Sequence, residues 1–172
     1  DGGTLPSGLM DVRSCTPYLC GHNVTPGSVV AWGGRAACAF ANSALGARSE
    51  LESYDDSLAS AISGLTPERG LHTDSGRRPT ISVIMDDPSI DLVTLGAGIS
   101  ATISKEVPQI CGARAGLGVY KSLAFAINSH GDMPLFHVTS EKRPPEGLES
   151  LFASEITPRM ESVSNADLLI LG

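Results

Sequence analysis

Hydrophobic residues along this chain fall mainly into short continuous runs rather than into alternating patterns. Such runs lie at residues 29–32, 79–85, 134–138 and 167–171. Short apolar runs of this kind are typical of strands that are buried on both faces of a sheet. We therefore predict a strand at each of the four positions, with the last strand near the centre of the sheet.

Helical patterns lie between these runs. The Ala-rich stretch 35–47 favours a helix because Ala loses no side-chain entropy, and its first two turns are apolar nearly all round. We expect those turns to be buried. A second helix is predicted over 55–63, with Ser53 or Asp55 as its N-cap and Gly64 as its end.

Three further helices follow in the second half of the chain. Helical spacing predicts one over 90–104, although Gly96 and Gly98 weaken it, and another over 119–129. A short helix is predicted to start at Thr157, with a proline as its first residue. Helices thus alternate with apolar strands, which predicts an α/β fold: a mostly parallel sheet covered on both sides by helices.

Composition and charge narrow the function classes. The 172 residues include 19 acidic and 12 basic side chains, so the formal net charge is −7. A surface of this sign repels phosphate backbones, which excludes non-specific nucleic-acid binding. The apolar runs are far shorter than the roughly 20 residues that span a bilayer, so we expect no membrane association.

The four cysteines, at positions 15, 20, 38 and 111, are too few and too scattered for a disulfide-rich secreted scaffold. They are expected to be reduced, which predicts a cytoplasmic or organellar-matrix location, and most of them are expected to be small buried apolar side chains. Cys15 follows a predicted strand end and precedes a Pro turn. That position suits a metal ligand, and it equally suits a partly buried thiol in a turn.

Two polar clusters interrupt otherwise apolar surroundings. Asn42, Ser43 and Arg48 combine an amide, a hydroxyl and a guanidinium fork, a set that suits a substrate carboxylate. Alternatively, Asn42 and Ser43 bind the backbone and Arg48 is solvated. The second cluster is the polar segment 70–78, which contains His72. The nucleotide-binding glycine patterns and the zinc-hydrolase histidine pattern do not occur in the chain.

Taken together, these segments resemble the aconitase X family. Ser-Cys-Thr-Pro-Tyr at 14–18 is similar to the family's Thr-Cys-Thr-Pro-Tyr. Ala31-Trp32, followed by Asn42-Ser43 and by Leu-Gly-Ala-Arg at 45–48, is similar to its Ala-Trp and Asn-Ser-Val-Leu-Gly-Ala-Arg. Gly-Leu-His at 70–72, Asp74 and Arg-Arg-Pro at 77–79 are similar to its Gly-Leu-His-Leu-Asp-Glu-Asn-Arg-Arg-Pro. The resemblance continues more weakly to the end of the chain.

The resemblance implies a hydro-lyase that removes water from a small hydroxy acid with the help of an iron–sulfur cluster or iron. Activities of the family are dehydration of cis-3-hydroxy-L-proline, which we favour here, and of mevalonate 5-phosphate. By position, Cys15 would be a metal ligand. The residues that would shape the substrate pocket are Thr16, Asn42, Ser43, Arg48, His72 and Arg77. Arg48 would clamp a carboxylate or phosphate.

The chain also departs from the family pattern. It has Gly34-Arg35-Ala36 where the family has Glu-Ser-Ser, and Ser49-Glu50-Leu51 where the family has Thr-Asn-Arg. A non-catalytic relative that binds a ligand or a partner is therefore an alternative. The resemblance further implies that residues 1–172 are the central part of an aconitase-like large domain. The remaining cluster ligands and a swivelling small domain or subunit would lie elsewhere, so the chain alone is expected to be inactive.

Overall fold

Four short strands form one parallel sheet in the computed structural model, which describes residues 24–157. They are β1 (Ile81–Ile84), β2 (Pro108–Cys111), β3 (His137–Thr139) and β4 (Glu149–Phe152). Their order in the sheet is β3-β2-β1-β4, and each neighbouring pair is parallel. The predicted α/β class with a mostly parallel sheet is confirmed.

Five α-helices accompany the sheet within residues 24–157. They are α1 (Arg35–Ala44), α2 (Tyr54–Ser63), α3 (Leu92–Thr102), α4 (Leu117–Ala126) and α5 (Ala153–Ile156). Helix α3 connects β1 to β2 and α4 connects β2 to β3, so these elements form two consecutive βαβ units. Helix α4 packs against both α1 and α3. Two single 3-10 turns, Gly70–His72 and Ser75–Arg77, lie between α2 and β1.

The core lies between the sheet and these helices. Three consecutive residues of β1, Ile81, Ser82 and Val83, are all buried, which places buried side chains on both faces of the strand. Phe136, Leu95 and Ile110 are among the largest fully buried side chains of the cluster. The burial predicted for the first turns of α1 is also confirmed, since Ala37 through Asn42 are buried.

Helix boundaries follow from local chemistry. The Ser53 hydroxyl accepts a hydrogen bond from Asp56 N at 3.1 Å, and Gly64 ends α2 in the left-handed conformation with φ +71°. The Asp91 carboxylate accepts the N–H groups of Val93 and Thr94 at the start of α3. These caps explain why the predictions for α2 and α3 are correct to within two residues.

Within the described residues, one predicted strand is absent, and two observed strands were not predicted. Residues 29–32 form no strand, and only Val29 makes a single bridge, to Arg48. Strands β2 and β4 were not predicted, because Pro108 and the polar residues Gln109, Glu149 and Ser150 interrupt their apolar pattern. Proline is nevertheless compatible with the first residue of a strand. Among the strands of residues 24–157, β4 lies at the edge of the sheet, with exposed Glu149 and Phe152, and it lacks the apolar run of a central strand.

Helix α1 ends three residues earlier than predicted, because Leu45 is its C-cap and Gly46 follows with φ +66°. The predicted strand 167–171 lies outside the described residues, as do residues 1–23. Thr157 is the C-cap of α5, and the helix predicted to start there otherwise lies outside them as well. Between residues 24 and 157, no helix has the length and apolar character that a membrane crossing requires.

Candidate functional site

Asn42, in the last turn of α1, is the central side chain of a polar cluster. Its amide nitrogen donates to the carbonyl oxygens of Ser49 at 2.8 Å and Pro134 at 2.9 Å. Its amide oxygen accepts from Ser49 N at 2.9 Å and from Arg77 Nη1 at 2.8 Å. The side chain is 2% exposed. Asn42 therefore joins α1 to the following loop, to the segment before β3 and to Arg77.

Arg48 lies in the loop after α1 and binds the segment that contains His72. Its Nη1 donates to His72 O at 2.7 Å, and its Nη2 pairs with the Asp74 carboxylate. The hydrogen bond and the charge of Arg48 lower the pKa of the Asp74 carboxyl group below its ordinary value. The Arg48 side chain is partly exposed.

His72 is buried in the first 3-10 turn. Its Nδ1 lies 2.7 Å from Pro67 O. Because a carbonyl oxygen only accepts, Nδ1 is the donor of this hydrogen bond. The contacts with Pro67 and Arg48 hold both the ring and the backbone of this residue.

Arg77 is the last residue of the second 3-10 turn and reaches back to α1. Besides the Asn42 side chain, it donates to Asn42 O at 3.1 Å and to Leu71 O at 3.4 Å. Burial, together with the nearby charge of Arg48, lowers the pKa of this guanidinium group, which stays charged at neutral pH. The structure thus brings Asn42, Arg48, His72 and Arg77 into one cluster.

His137 joins this cluster to the sheet. It is the first residue of β3, and its Nε2 lies 2.9 Å from Arg77 O. Burial lowers the pKa of the His137 imidazole below its ordinary value, and the charge of Arg77 adds to the effect. The cluster therefore lies before the first residues of β1 and β3, at the amino-terminal edge of the sheet.

Ser43 is the remaining predicted pocket residue that the structure describes. Its hydroxyl oxygen accepts a hydrogen bond from Phe136 N at 2.9 Å. This contact connects α1 to the segment before β3, as the Asn42 contact with Pro134 does. Ser43 and Asn42 thus both bind backbone groups, which was the alternative interpretation of these residues. A contact of either residue with a substrate stays a prediction.

Glu50, Asp74, Ser49 and His137 belong to the same cluster and were not predicted as site residues. The Glu50 carboxylate accepts the Leu71 N–H, and Ser49 holds Asn42 through its backbone. Asp74 and Glu50 were visible in the sequence only as parts of a family pattern or as a departure from it. A contact between residues 21 positions apart, such as Glu50 with Leu71, leaves no periodic signal in the chain.

The described residues do not fit an iron–sulfur cluster. Burial raises the pKa of the Cys38 thiol to about 12, and this thiol is fully buried and donates to Ser49 O and Glu50 O. Burial also raises the pKa of Cys111. Among residues 24–157, no group of three metal-binding side chains is suitably placed. Cys15 and Thr16, the predicted ligand and its neighbour, lie outside the described residues.

The fold is that of an α/β protein, and its polar cluster holds two guanidinium groups close together. Two guanidinium groups from different segments bind the same turn, Arg48 through His72 O and Arg77 through Leu71 O, and the Asn42 side chain also holds Arg77. Such forks recognise carboxylate or phosphate oxygens in a fixed orientation.

Comparisons with known proteins agree with this class. The family model for the aconitase X first domain matches residues 6–75. The phosphomevalonate dehydratase large subunit of Thermococcus kodakarensis is 33% identical over 93% of this chain and 41% of that protein. The cis-3-hydroxy-L-proline dehydratase of Pseudomonas aeruginosa is 27% identical over 90% of this chain and 28% of that protein. The chain belongs to the aconitase X family.

A solved structure gives the same result for the fold. The holo-form crystal structure of Thermococcus kodakaraensis aconitase X matches with a TM-score of 0.75 and 32% identity, over 85% of this chain and 41% of that chain. This chain therefore spans about two fifths of the length of the archaeal relatives that it matches.

Proposed function

We propose that this chain is the central part of the large domain of a hydro-lyase that dehydrates a small hydroxy acid. The observation that carries the proposal is the pair Arg48 and Arg77. They lie 29 positions apart in the sequence and bind neighbouring carbonyl oxygens of one turn, Arg48 that of His72 and Arg77 that of Leu71. Two guanidinium groups in that arrangement suit the carboxylate that a hydroxy acid carries.

In this proposal the two arginines bind and orient the acid, with Arg48 as its main clamp. His72, whose Nδ1 is bound to Pro67 O, contacts the substrate hydroxyl group through Nε2. Cys15 is proposed as a ligand of an iron–sulfur cluster or iron, with the other ligands outside the described residues. A swivelling small domain or subunit completes the site, as the names of the large-subunit relatives suggest. A cytoplasmic location is part of the same proposal.

Two substrates each have one supporting observation. The Asp74 carboxylate lies beside the Arg48 guanidinium group, and it suits a substrate that carries a cationic nitrogen beside its carboxylate, such as cis-3-hydroxy-L-proline. The greater identity to the phosphomevalonate dehydratase large subunits, 33% against 27%, instead favours mevalonate 5-phosphate.

The experiment is an assay of both substrates with the full-length protein and its partner subunit, after anaerobic reconstitution with iron and sulfide. We expect dehydration of one substrate, and loss of iron uptake in Cys15→Ser but not in Cys111→Ser. Iron uptake without dehydration of either acid would instead favour the non-catalytic binding relative, which the departures at 34–36 and 49–51 suggest. Normal iron uptake by Cys15→Ser would refute the ligand assignment.

A further inference from the structure

Glu50 occupies a position between the buried part of α1 and the 3-10 turn that carries His72. Its backbone oxygen accepts the Cys38 thiol at 3.4 Å, and that cysteine is fully buried in α1. Its carboxylate accepts the Leu71 N–H. The residue therefore extends a rigid connection from the core to the turn Gly70–His72.

Leu71 is held on both sides of its peptide backbone. Glu50 binds its N–H, and Arg77 Nη1 donates to its carbonyl oxygen at 3.4 Å. The next residue, His72, is held by Arg48 and Pro67. Of these four contacts, the one from Glu50 is the only contact between an acidic side chain and this turn. Its loss would leave a partly buried N–H without an acceptor.

Gly70 makes room for this contact. Its φ of +49° is in the left-handed region, and a Cβ at this position would overlap the Glu50 carboxylate. Glycine at position 70 thus lets the backbone of the turn approach the Glu50 carboxylate more closely than a residue with a Cβ would.

We propose that Glu50 is a positioning residue of the candidate site: its carboxylate fixes the turn Gly70–His72, whose carbonyl oxygens at Leu71 and His72 bind the two arginines. Its effect on catalysis rests on the proposed function, whereas its effect on the turn does not. The carboxylate acts through Leu71 and is not itself assigned a contact with substrate.

The first test measures hydrogen exchange in peptides that cover residues 69–78. We expect Glu50→Ala to accelerate exchange at the Leu71 amide by roughly tenfold or more, because a hydrogen bond to a charged acceptor is lost. Glu50→Gln keeps an acceptor oxygen and should exchange within about threefold of wild type. Glu68→Ala, which removes an exposed carboxylate close to the same turn, is the matched control. Unchanged exchange in Glu50→Ala would overturn the proposal.

A double-mutant cycle keeps the proposal testable if one variant is poorly folded. Gly70→Ala should destabilise wild type more than it destabilises Glu50→Ala, because the clash with the carboxylate is absent in the second background while the backbone strain remains in both. Equal losses in the two backgrounds would show that the carboxylate is not held against Gly70, and would contradict the proposal.

The second readout is kinetic and uses the assembled enzyme with both candidate acids. At a temperature where all variants are folded, Glu50→Ala should lower kcat/KM by about tenfold or more, and Glu50→Gln should restore most of it. A purely structural role would leave kcat/KM of folded Glu50→Ala unchanged, which would refute the positioning role. If wild type dehydrates neither acid, the proposed function fails, and the hydrogen-exchange result still decides the role of Glu50 in the turn.

Discussion

Asn42 and Cys38 lie one helical turn apart on the buried face of α1, and each fastens the loop that follows the helix. The Asn42 amide nitrogen contacts the Cys38 sulfur at 3.4 Å, and both side chains donate to Ser49 O. Because a glycine follows the end of α1, the backbone path of the next residues would otherwise be poorly determined. The side chains of α1 thus determine where Arg48 and Glu50 lie.

Removing Asn42 should therefore affect stability as well as any binding role. Asn42→Ala leaves Ser49 N, the two carbonyl oxygens and Arg77 without this partner, and we expect a loss of about 3 kcal/mol in the free energy of unfolding. Ser43→Ala removes a single acceptor and should cost about 1 kcal/mol. Urea denaturation followed by circular dichroism measures both. Equal losses in the two variants would contradict the bridging role of Asn42.

Cys38 makes a prediction about alkaline stability. Its ordinary pKa of 9.0 rises to about 12 in the fold, so between these values the unfolded chain loses the proton while the folded chain keeps it. The contribution of the buried thiol is complete below pH 9 and decreases as pH rises toward 12. We expect the difference in unfolding free energy between wild type and Cys38→Ala to shrink by up to about 1.4 kcal/mol per pH unit in that window.

Cys111→Ala is the comparison for this measurement, because the Cys111 thiol is also buried but has a smaller rise in pKa. Its difference from wild type should depend less on pH. A difference for Cys38→Ala that stays constant from pH 8 to about 11 would mean that the thiol ionises as readily in the fold as in the unfolded chain.

The two glycines that weaken the helical pattern of α3 explain how this helix packs. A Cβ at Gly96 would come within 2.6 Å of the Leu123 side chain of α4, and a Cβ at Gly98 would overlap the backbone oxygen of Ile156 at the end of α5. Helix propensity treats both residues as unfavourable. Their cost is offset by close contact with two neighbouring helices.

Gly98→Ala should consequently destabilise the protein by roughly 1–3 kcal/mol, because backbone rather than a flexible side chain must move. Gly118→Ala in α4 is a matched control, since no atom lies within 4 Å of its Cβ position. That variant should stabilise the protein by about 0.5 kcal/mol through helix propensity alone. Thermal denaturation of the two variants checks the difference in sign. A neutral or stabilising Gly98→Ala would contradict the close packing of α3 on α5.

The elements that the sequence predicted are those whose signals are local. The caps at Ser53 and Gly64 are recognisable within a few residues, and the apolar run of β1 indicates burial on both faces. Strand β4 became visible only in the fold, since its pairing with β1 connects Ser82 to Ser150 over 68 positions. Tertiary pairing, rather than intrinsic preference, determines that strand.

On the scale of the whole molecule, the candidate site also has features that local sequence predicts and features that depend on distant contacts. Asn42, Arg48, His72 and Arg77 were predicted because ordered segments resemble a family, and the structure brings the four together. The contacts that organise them, from Glu50 and His137, join segments 21 and 60 positions apart. The type of a residue does not show which distant residue it will contact. The sequence pattern therefore predicts which residues belong to the cluster better than it predicts the role of each.

Arg48 offers a way to separate binding from folding in the assembled enzyme. Its guanidinium group is partly exposed and its ion pair is with an exposed carboxylate, so Arg48→Lys, which keeps the charge, should change the melting temperature little. The fork that orients a carboxylate is lost, and we expect KM for the dehydrated acid to rise by about tenfold with a smaller change in kcat. Arg78→Lys, at the exposed neighbour of Arg77, is the matched control and should leave KM unchanged. Equal KM values for wild type and Arg48→Lys would remove Arg48 from the substrate site, and the contacts with His72 and Asp74 would then be its whole role.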